Sequence, residues 1–124
     1  MSLYFLYSAM FLAGGNIYCA IELLFRKRTH ISMFLCAGTA ITILLNVYLN
    51  NKSISPLIFS LIAVVVITSL ELIYGAIFNL WLKEDVWDYS KLPLNLYGQI
   101  CLYFSGIWFG FGIIVYLLFR VLRV

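Results

Sequence analysis

The chain has 124 residues, of which 65% are hydrophobic and only 10% are charged, and its net charge is +3. Soluble domains are about 45–50% apolar and about 25% charged, so a water-soluble fold of this size could not bury so much apolar surface. No basic stripe or nucleic-acid-binding motif occurs, and we expect no nucleic-acid partner. The composition predicts an all-α protein embedded among membrane lipids.

Four apolar runs are each long enough to cross the hydrocarbon core of a bilayer, which takes about 20 helical residues. Backbone groups in lipid must be hydrogen-bonded internally, and these runs are much longer than the strands of about ten residues found in barrels. We predict a single transmembrane domain, residues 1–124, folded as a bundle of four transmembrane helices. The predicted helices span about residues 3–25, 31–49, 56–82 and 96–119.

The connections between the predicted helices carry capping and charged residues. Ser55 followed by Pro56 predicts the start of the third helix, and Asn95 predicts a cap for the fourth. Lys and Arg number five in the connections 26–30 and 83–95, against three on the opposite side. Because cytoplasmic loops are enriched in Lys and Arg, we expect these two connections to be cytoplasmic.

Glu71 is the most informative polar residue of the predicted spans. It precedes Lys83 by about 18 Å of helix, which places it near the midplane of a core about 30 Å thick. A charge there costs several kcal/mol, so such residues are rare and commonly mark ion or substrate sites. Gly75 and Asn79 follow on the same helix face. Glu71 is therefore either a ligand, proton or ion site, or a buried group that holds helices together.

Two further polar sets fall in the same half of the predicted bundle. Glu22 lies four residues before Arg26, a spacing that also forms ordinary structural ion pairs in helices. Asn95 and Gln99 lie in the first turns of the predicted fourth helix. Because helices one and three end on the side where helix four begins, we expect one polar pocket that opens toward connections 26–30 and 83–95.

Residues near the membrane surface complete the predicted pocket. Trp87, Asp88 and Tyr89 could cover its opening as a lid, although aromatic residues also form ordinary interface belts. His30, the only histidine, is either an interfacial polar residue or a general acid or base with Glu22 or Asp88 as its partner. The predicted ligand-binding residues are Glu22, Arg26, His30, Glu71, Asn79, Trp87, Asp88, Tyr89, Asn95 and Gln99.

The sequence lacks the common motifs of nucleotide-binding proteins, hydrolases, metalloproteases and thiol redox enzymes. It contains no phosphate-binding glycine loop, no GxSxG, no HExxH and no CxxC, and a single histidine does not suggest a zinc site. We therefore expect no catalytic residues, metal or cofactor. Four helices of modest length predict a homo-oligomer, and ATP-driven transport would need a separate ATPase partner.

Three blocks of the sequence together resemble one family. The blocks are Gly14–Met33, which includes Arg26-Lys27-Arg28-Thr29-His30, then Ile67–Asn79 with Glu71 and Gly75, then Val86–Trp108 with Trp87-Asp88-Tyr89 and Gln99. They are similar to the putative ABC-transporter type IV family, also called CmpB-like. The resemblance implies a small multi-span permease-like protein of the bacterial plasma membrane, found mainly in Firmicutes and their relatives. Lys27 and Ile31 depart from the Gly and Trp of the family pattern.

The sequence predicts a membrane protein whose polar intramembrane pocket binds or transports a small polar or cationic solute. Two alternatives remain at this point. One is an intramembrane or interfacial enzyme acting on a lipid-like substrate, with His30 and neighbouring acids as its acid and base. The other is a structural or assembly subunit whose buried polar groups only lock helices together.

Overall fold

A computed structural model describes residues 2–124 of the chain, and 74% of the structure is helical. The helices are α1 (Leu3–Arg26), α2 (Ile31–Asn50), α3 (Pro56–Gly75) and α4 (Leu102–Leu122). A π-helical segment, Ala76–Trp81, continues α3 without a break. All four helical runs, α3 taken together with the π-helical segment, are long and apolar enough to cross a membrane. The predicted all-α bundle of four transmembrane helices is confirmed.

Three helices begin at residues whose side chains satisfy free backbone N–H groups. The hydroxyls of Ser2 and Ser55 accept from the N–H groups of Phe5 and Ile58, and Pro56 occupies the first helical turn as predicted. At the start of α2 the ring of His30 takes the same role. The first N–H groups of a helix have no acceptor within the helix, and each of these caps supplies one.

The start of the fourth helix was predicted wrongly. Residues 96–101 were expected to be helical, but α4 begins only at Leu102. Asn95–Leu96 and Ile100–Cys101 instead form β1 and β2 of a short antiparallel hairpin, in which Asn95 pairs with Cys101. Tyr97 and Gly98 at its turn have positive φ angles, a conformation incompatible with an α-helix. Asn95 therefore does not cap α4, and Asn95 and Gln99 do not lie on its first turns.

Residues 82–101, which include the hairpin, are here named the cap segment because they fold over one end of the bundle. Left-handed backbone conformations recur along it, at Lys83, Asp85, Leu94, Tyr97 and Gly98. Four of these residues are not glycine, and such conformations persist only where surrounding contacts enforce them. The cap segment is thus a defined structure held in place by the side chains described below.

The helices associate as two close pairs. α1 packs mainly against α2, α3 packs mainly against α4, and α2 and α3 join the pairs. Gly15 allows α1 to approach Phe34, and Gly112 allows α4 to approach Ser60 and Ala63. Small residues at such crossings are the common solution in membranes, where close packing drives helix association.

The end of the bundle opposite the cap segment has an aromatic core. Its fully buried rings meet mostly edge-to-face, with centroids 5.4–6.3 Å apart. The buried cluster consists of Leu44, Leu45, Tyr48, Phe59, Ala63, Tyr116 and Phe119. This half of the bundle is apolar and closely packed, so the buried charged side chains lie in the half next to the cap segment.

Candidate functional site

Glu71 lies on α3 beneath the cap segment, and only 5% of its surface is exposed. Its Oε1 accepts a hydrogen bond of 2.8 Å from the indole Nε1 of Trp108 on α4. Its Oε2 accepts one of 2.9 Å from the hydroxyl of Tyr89 in the cap segment. The carboxyl group therefore links a membrane-spanning helix on one side to the cap segment on the other.

Both donors to Glu71 are neutral. Within residues 2–124, Arg26 pairs with Glu22 and the His30 ring contacts Glu84, so no basic side chain of the described residues pairs with Glu71. A buried carboxyl group without a cationic partner is costly in a membrane and is by default a functional candidate. The site can accept a proton or a small cation without first displacing a side-chain cation.

Burial and the adjacent Glu71 carboxyl raise the pKa of Tyr89 above its ordinary value. The phenol therefore keeps its proton at physiological pH and remains a hydrogen-bond donor. Its ring stacks on Phe104 of α4, with centroids 4.6 Å apart, which fixes the direction of the hydroxyl. Tyr89 is thus a rigid contact between the cap segment and the buried acid.

Gln99, of which 3% is exposed, fills the space above Gly75 on α3. Its Oε1 accepts from Nδ2 of Asn79 at 2.8 Å, and its Nε2 donates to the Tyr97 carbonyl at 2.9 Å. Any Cβ on residue 75 would overlap that amide oxygen, so glycine is required for this close approach. The predicted face of Glu71, Gly75 and Asn79 therefore exists, and Gln99 occupies its gap.

The peptide group of Val86 is held from both sides. Its N–H donates to Oδ1 of Asn79 at 2.6 Å, and its carbonyl accepts from the guanidinium groups of Arg26 and Arg28. The next residue, Trp87, is 5% exposed and donates its indole N–H to the Gln99 carbonyl at 2.9 Å. These contacts tie the first half of the cap segment to both helical pairs.

Glu22 and Arg26 form the expected pair at the end of α1, with an Nη1–Oε2 distance of 2.6 Å. The other oxygen of Glu22 accepts from the Thr29 hydroxyl at 2.9 Å. Because Arg26 also binds the Val86 carbonyl, its planar fork connects a buried carboxylate to the cap segment. Arg26 therefore links Glu22 in the wall of the site to Val86 in the cap segment.

His30 lies at the edge of the site and does not contact Glu22 or Asp88. Its Nδ1 accepts from the Ser32 N–H at 3.0 Å, so the proton of the neutral ring is on Nε2, which faces Glu84 at 2.9 Å. Arg28, Glu84 and Asp85 line a small adjoining surface cleft of about 80 Å³. His30 is thus a helix cap and a hydrogen-bond donor to Glu84 in the lining of this cleft.

Asp88 and Asn95 shape the cap segment and do not contact Glu71. Asp88 is exposed, and its Oδ1 accepts from the Ser90 N–H at 2.8 Å, a contact that lowers the pKa of this carboxyl group. Asn95 donates to the Leu92 carbonyl at 2.8 Å and accepts from the Gly98 N–H at 3.0 Å. Both side chains replace backbone hydrogen bonds within turns.

The ten residues predicted to bind a ligand thus divide by position. Glu71 and Tyr89 share one hydrogen bond, and Asn79, Trp87 and Gln99 form a second hydrogen-bonded group. The backbone bond from the Tyr89 N–H to the Gly98 carbonyl lies between the two groups. Glu22 and Arg26 form the wall of the site, and His30, Asp88 and Asn95 lie outside its centre. Trp108 was not predicted, because a tryptophan in an apolar run reads as lipid-compatible filler. Its presence in the third family block was the one available signal.

No buried side-chain nitrogen or oxygen within the described residues 2–124 lacks a hydrogen-bond partner. The site is therefore closed and fully bonded in this conformation. The Tyr89 hydroxyl is the side-chain contact that joins the cap segment directly to the Glu71 carboxyl group.

The four spans and this buried polar network define a multi-pass membrane protein. The profile of the family described as putative ABC-transporter type IV matches residues 2–123, so the chain belongs to that family. No curated protein matches the chain, and no solved structure matches it.

Proposed function

We propose that the protein binds a small polar or cationic solute at Glu71 and passes it across the bacterial plasma membrane. The observation that carries the proposal is the buried Glu71 carboxyl group, which has two neutral donors and no cationic side chain within bonding distance. An incoming cation would supply the missing positive charge. Family membership supports a role in transport.

In the proposed mechanism the cap segment is the lid of the site. Tyr89 leaves Glu71 as the lid opens, and the solute takes the position of the phenol against the carboxylate. The Asn79 and Gln99 amides, which bond to each other and to the cap segment, become available to the solute only when the lid opens. Glu22 with Arg26 keeps the wall in place. Connections 26–30 and 83–95 face the cytoplasm in this proposal because Lys and Arg are concentrated there.

The experiment measures uptake of radiolabelled methylammonium and guanidinium by vesicles that contain the purified protein. Glu71→Gln keeps the size of the side chain but removes the negative charge, so uptake should fall to the level of empty vesicles. Its amide oxygen can accept from Trp108, and its NH2 group can donate to the Tyr89 hydroxyl, which also accepts. Asp85→Asn is the matched control, because it removes one nearby acid whose side chain makes no described contact with the network. Uptake that is equal in the two variants would refute the assignment of Glu71.

A second candidate function is a structural or assembly subunit, for example beside a separate ATPase. The complete hydrogen bonding of the buried side chains within residues 2–124 favours it, since such networks also fix helix packing. In that case Glu71→Gln should change the stability of the protein or its stoichiometric co-purification with a partner. Cation uptake by wild-type protein alone would exclude this second candidate.

A further inference from the structure

Helix α1 has two faces of different character. The glycine face packs on α2, where Cβ atoms built on Gly14 and Gly15 would come within 2.6 Å of Ile41 and 2.7 Å of Phe34. The opposite face is exposed along its length and has small side chains. This face, here named the Asn16 face, consists of Ala9, Ala13, Asn16 and Ala20.

The Asn16 face has the spacing of a helix–helix seam. Its members follow one another at intervals of four, three and four residues, so they lie within an arc of roughly 60° on an ideal helix. Intervals of this kind keep one seam turned toward a neighbouring helix over several turns. Alanine side chains let two backbones approach closely in a membrane.

Asn16 is a polar group at the level of the hydrocarbon core. It is ten residues from the Arg26 end of α1, about 15 Å along the axis and so near the midplane. Its Nδ2 donates to the Leu12 carbonyl of its own helix at 2.8 Å. Its Oδ1 accepts no hydrogen bond from any residue between 2 and 124.

Lipid tails cannot donate a hydrogen bond to that oxygen. Asn46, an exposed asparagine one turn before the end of α2, behaves differently, because its Oδ1 accepts from the Tyr7 hydroxyl at 2.9 Å and from Asn50 at 3.2 Å. The bundle therefore satisfies one outward amide from within and leaves the other for a partner outside.

We propose that the Asn16 face is the interface between two copies of this chain. An amide both donates and accepts, so it is complementary to itself. Two copies inserted with the same orientation place their Asn16 side chains at the same depth, where a two-fold axis along the membrane normal brings them together. Each Nδ2 would donate to the Oδ1 of the partner's Asn16, with Ala13 and Ala20 in contact above and below.

An exposed face of helix α4 is the alternative candidate for a dimer interface. Gly106 and Gly110 have the GxxxG spacing, and a Cβ built on either would meet nothing within 4 Å. The two glycines have no side chain that could form a hydrogen bond at this depth. Close packing there would lack the hydrogen bond that Asn16 supplies, so the α1 face is the stronger candidate.

The test measures dimerisation of the full chain by energy transfer between labelled copies in phosphatidylcholine–phosphatidylglycerol vesicles, over a range of protein-to-lipid ratios. Asn16→Ala should lower the dimerisation constant roughly 5- to 30-fold, the usual range for an interhelical amide bond. Ala13→Leu should lower it further by separating the backbones. Both changes affect exposed positions, so the monomer should remain folded.

Two matched controls separate the rival surfaces. Asn46→Ala removes an equal amide whose partners are internal, and Gly110→Leu adds the same leucine side chain to the face of α4. Both controls should dimerise as the wild type does. Wild-type chains that stay monomeric at every ratio would overturn the proposal. So would a dimer that Gly110→Leu disrupts and Asn16→Ala leaves intact.

Discussion

Gly75→Ala tests whether the cap segment depends on one close contact. The new Cβ would overlap Oε1 of Gln99 and lie 3.1 Å from its Cβ and Cδ, so the Gln99 side chain must move. Overpacking costs about 1–3 kcal/mol, and loss of the Asn79–Gln99 bond in a buried site costs a similar amount. The better helix propensity of alanine offsets about 1 kcal/mol. We expect the free energy of unfolding to fall by about 3 kcal/mol.

The assay is reversible unfolding of purified protein in mixed micelles, with hydrogen exchange of the Trp87 indole reporting on the cap segment. Trp87 donates to the Gln99 carbonyl, so displacement of Gln99 should speed its exchange. Gly106→Ala is the control, because the same methyl group there meets nothing within 4 Å. If Gly75→Ala unfolds like Gly106→Ala and leaves Trp87 protected, the contact does not hold the cap segment.

Substitutions at three further residues test the other contacts. Tyr89→Phe removes one of two donors to Glu71 and should lower the free energy of unfolding by about 2 kcal/mol, measured in the same micelles; no change would mean that the phenol bond is dispensable. In Arg26→Lys a single ammonium group replaces the guanidinium fork and cannot bond Glu22 and the cap segment together. Proteolysis of the cap segment should become faster, and a rate equal to that of the wild type would contradict the bridging role of Arg26. Asp88→Asn should keep the turn at Ser90 while Asp88→Ala loosens it, as followed by exchange of the Ser90 amide. Because its pKa is lowered, the Asp88 carboxylate stabilises the turn above its ordinary titration range, and this stabilisation should disappear as pH falls through the lowered value.

The helices and the polar half of the bundle could be predicted from the sequence because lipid imposes strong rules. Apolar runs must be helical, and the charge at Glu71 is conspicuous against them. Ser55 and Pro56 marked the start of α3 for a local reason, a capping hydroxyl before a residue with a fixed φ. Such signals lie within a few residues and need no knowledge of the tertiary structure.

The cap segment could not be predicted because its conformation depends on distant contacts. Leu96 to Cys101 are apolar enough to extend a helix, yet the Asn95 side chain and the positive φ of Gly98 turn the chain into a hairpin. The π-helical segment after Gly75 likewise has no clear local signature. Its wider turn accompanies the Asn79 contacts to Val86 and Gln99, which come from residues much later in the chain.

The same limit explains how the site differs from its prediction. Asn95 and Gln99 were expected as ligands on a helix, but one shapes a turn and the other fills the gap above Gly75. His30 was considered with Glu22 or Asp88 as a catalytic partner, and the structure pairs it with Glu84. The residue types were enough to predict which half of the bundle is polar. The hydrogen-bond partner of each side chain depends on the path of the cap segment, which the sequence did not reveal.

The most direct test of the central proposal is the nuclear magnetic resonance signal of the Trp108 indole N–H, which reports on the Glu71 carboxyl group at 2.8 Å. Guanidinium titrated into the wild-type protein should shift this signal with saturation. The shift should be lost in Glu71→Gln and retained in Asp85→Asn. A Trp108 signal that does not respond in wild-type protein, or responds equally in Glu71→Gln, would contradict the assignment of Glu71 as the solute-binding acid.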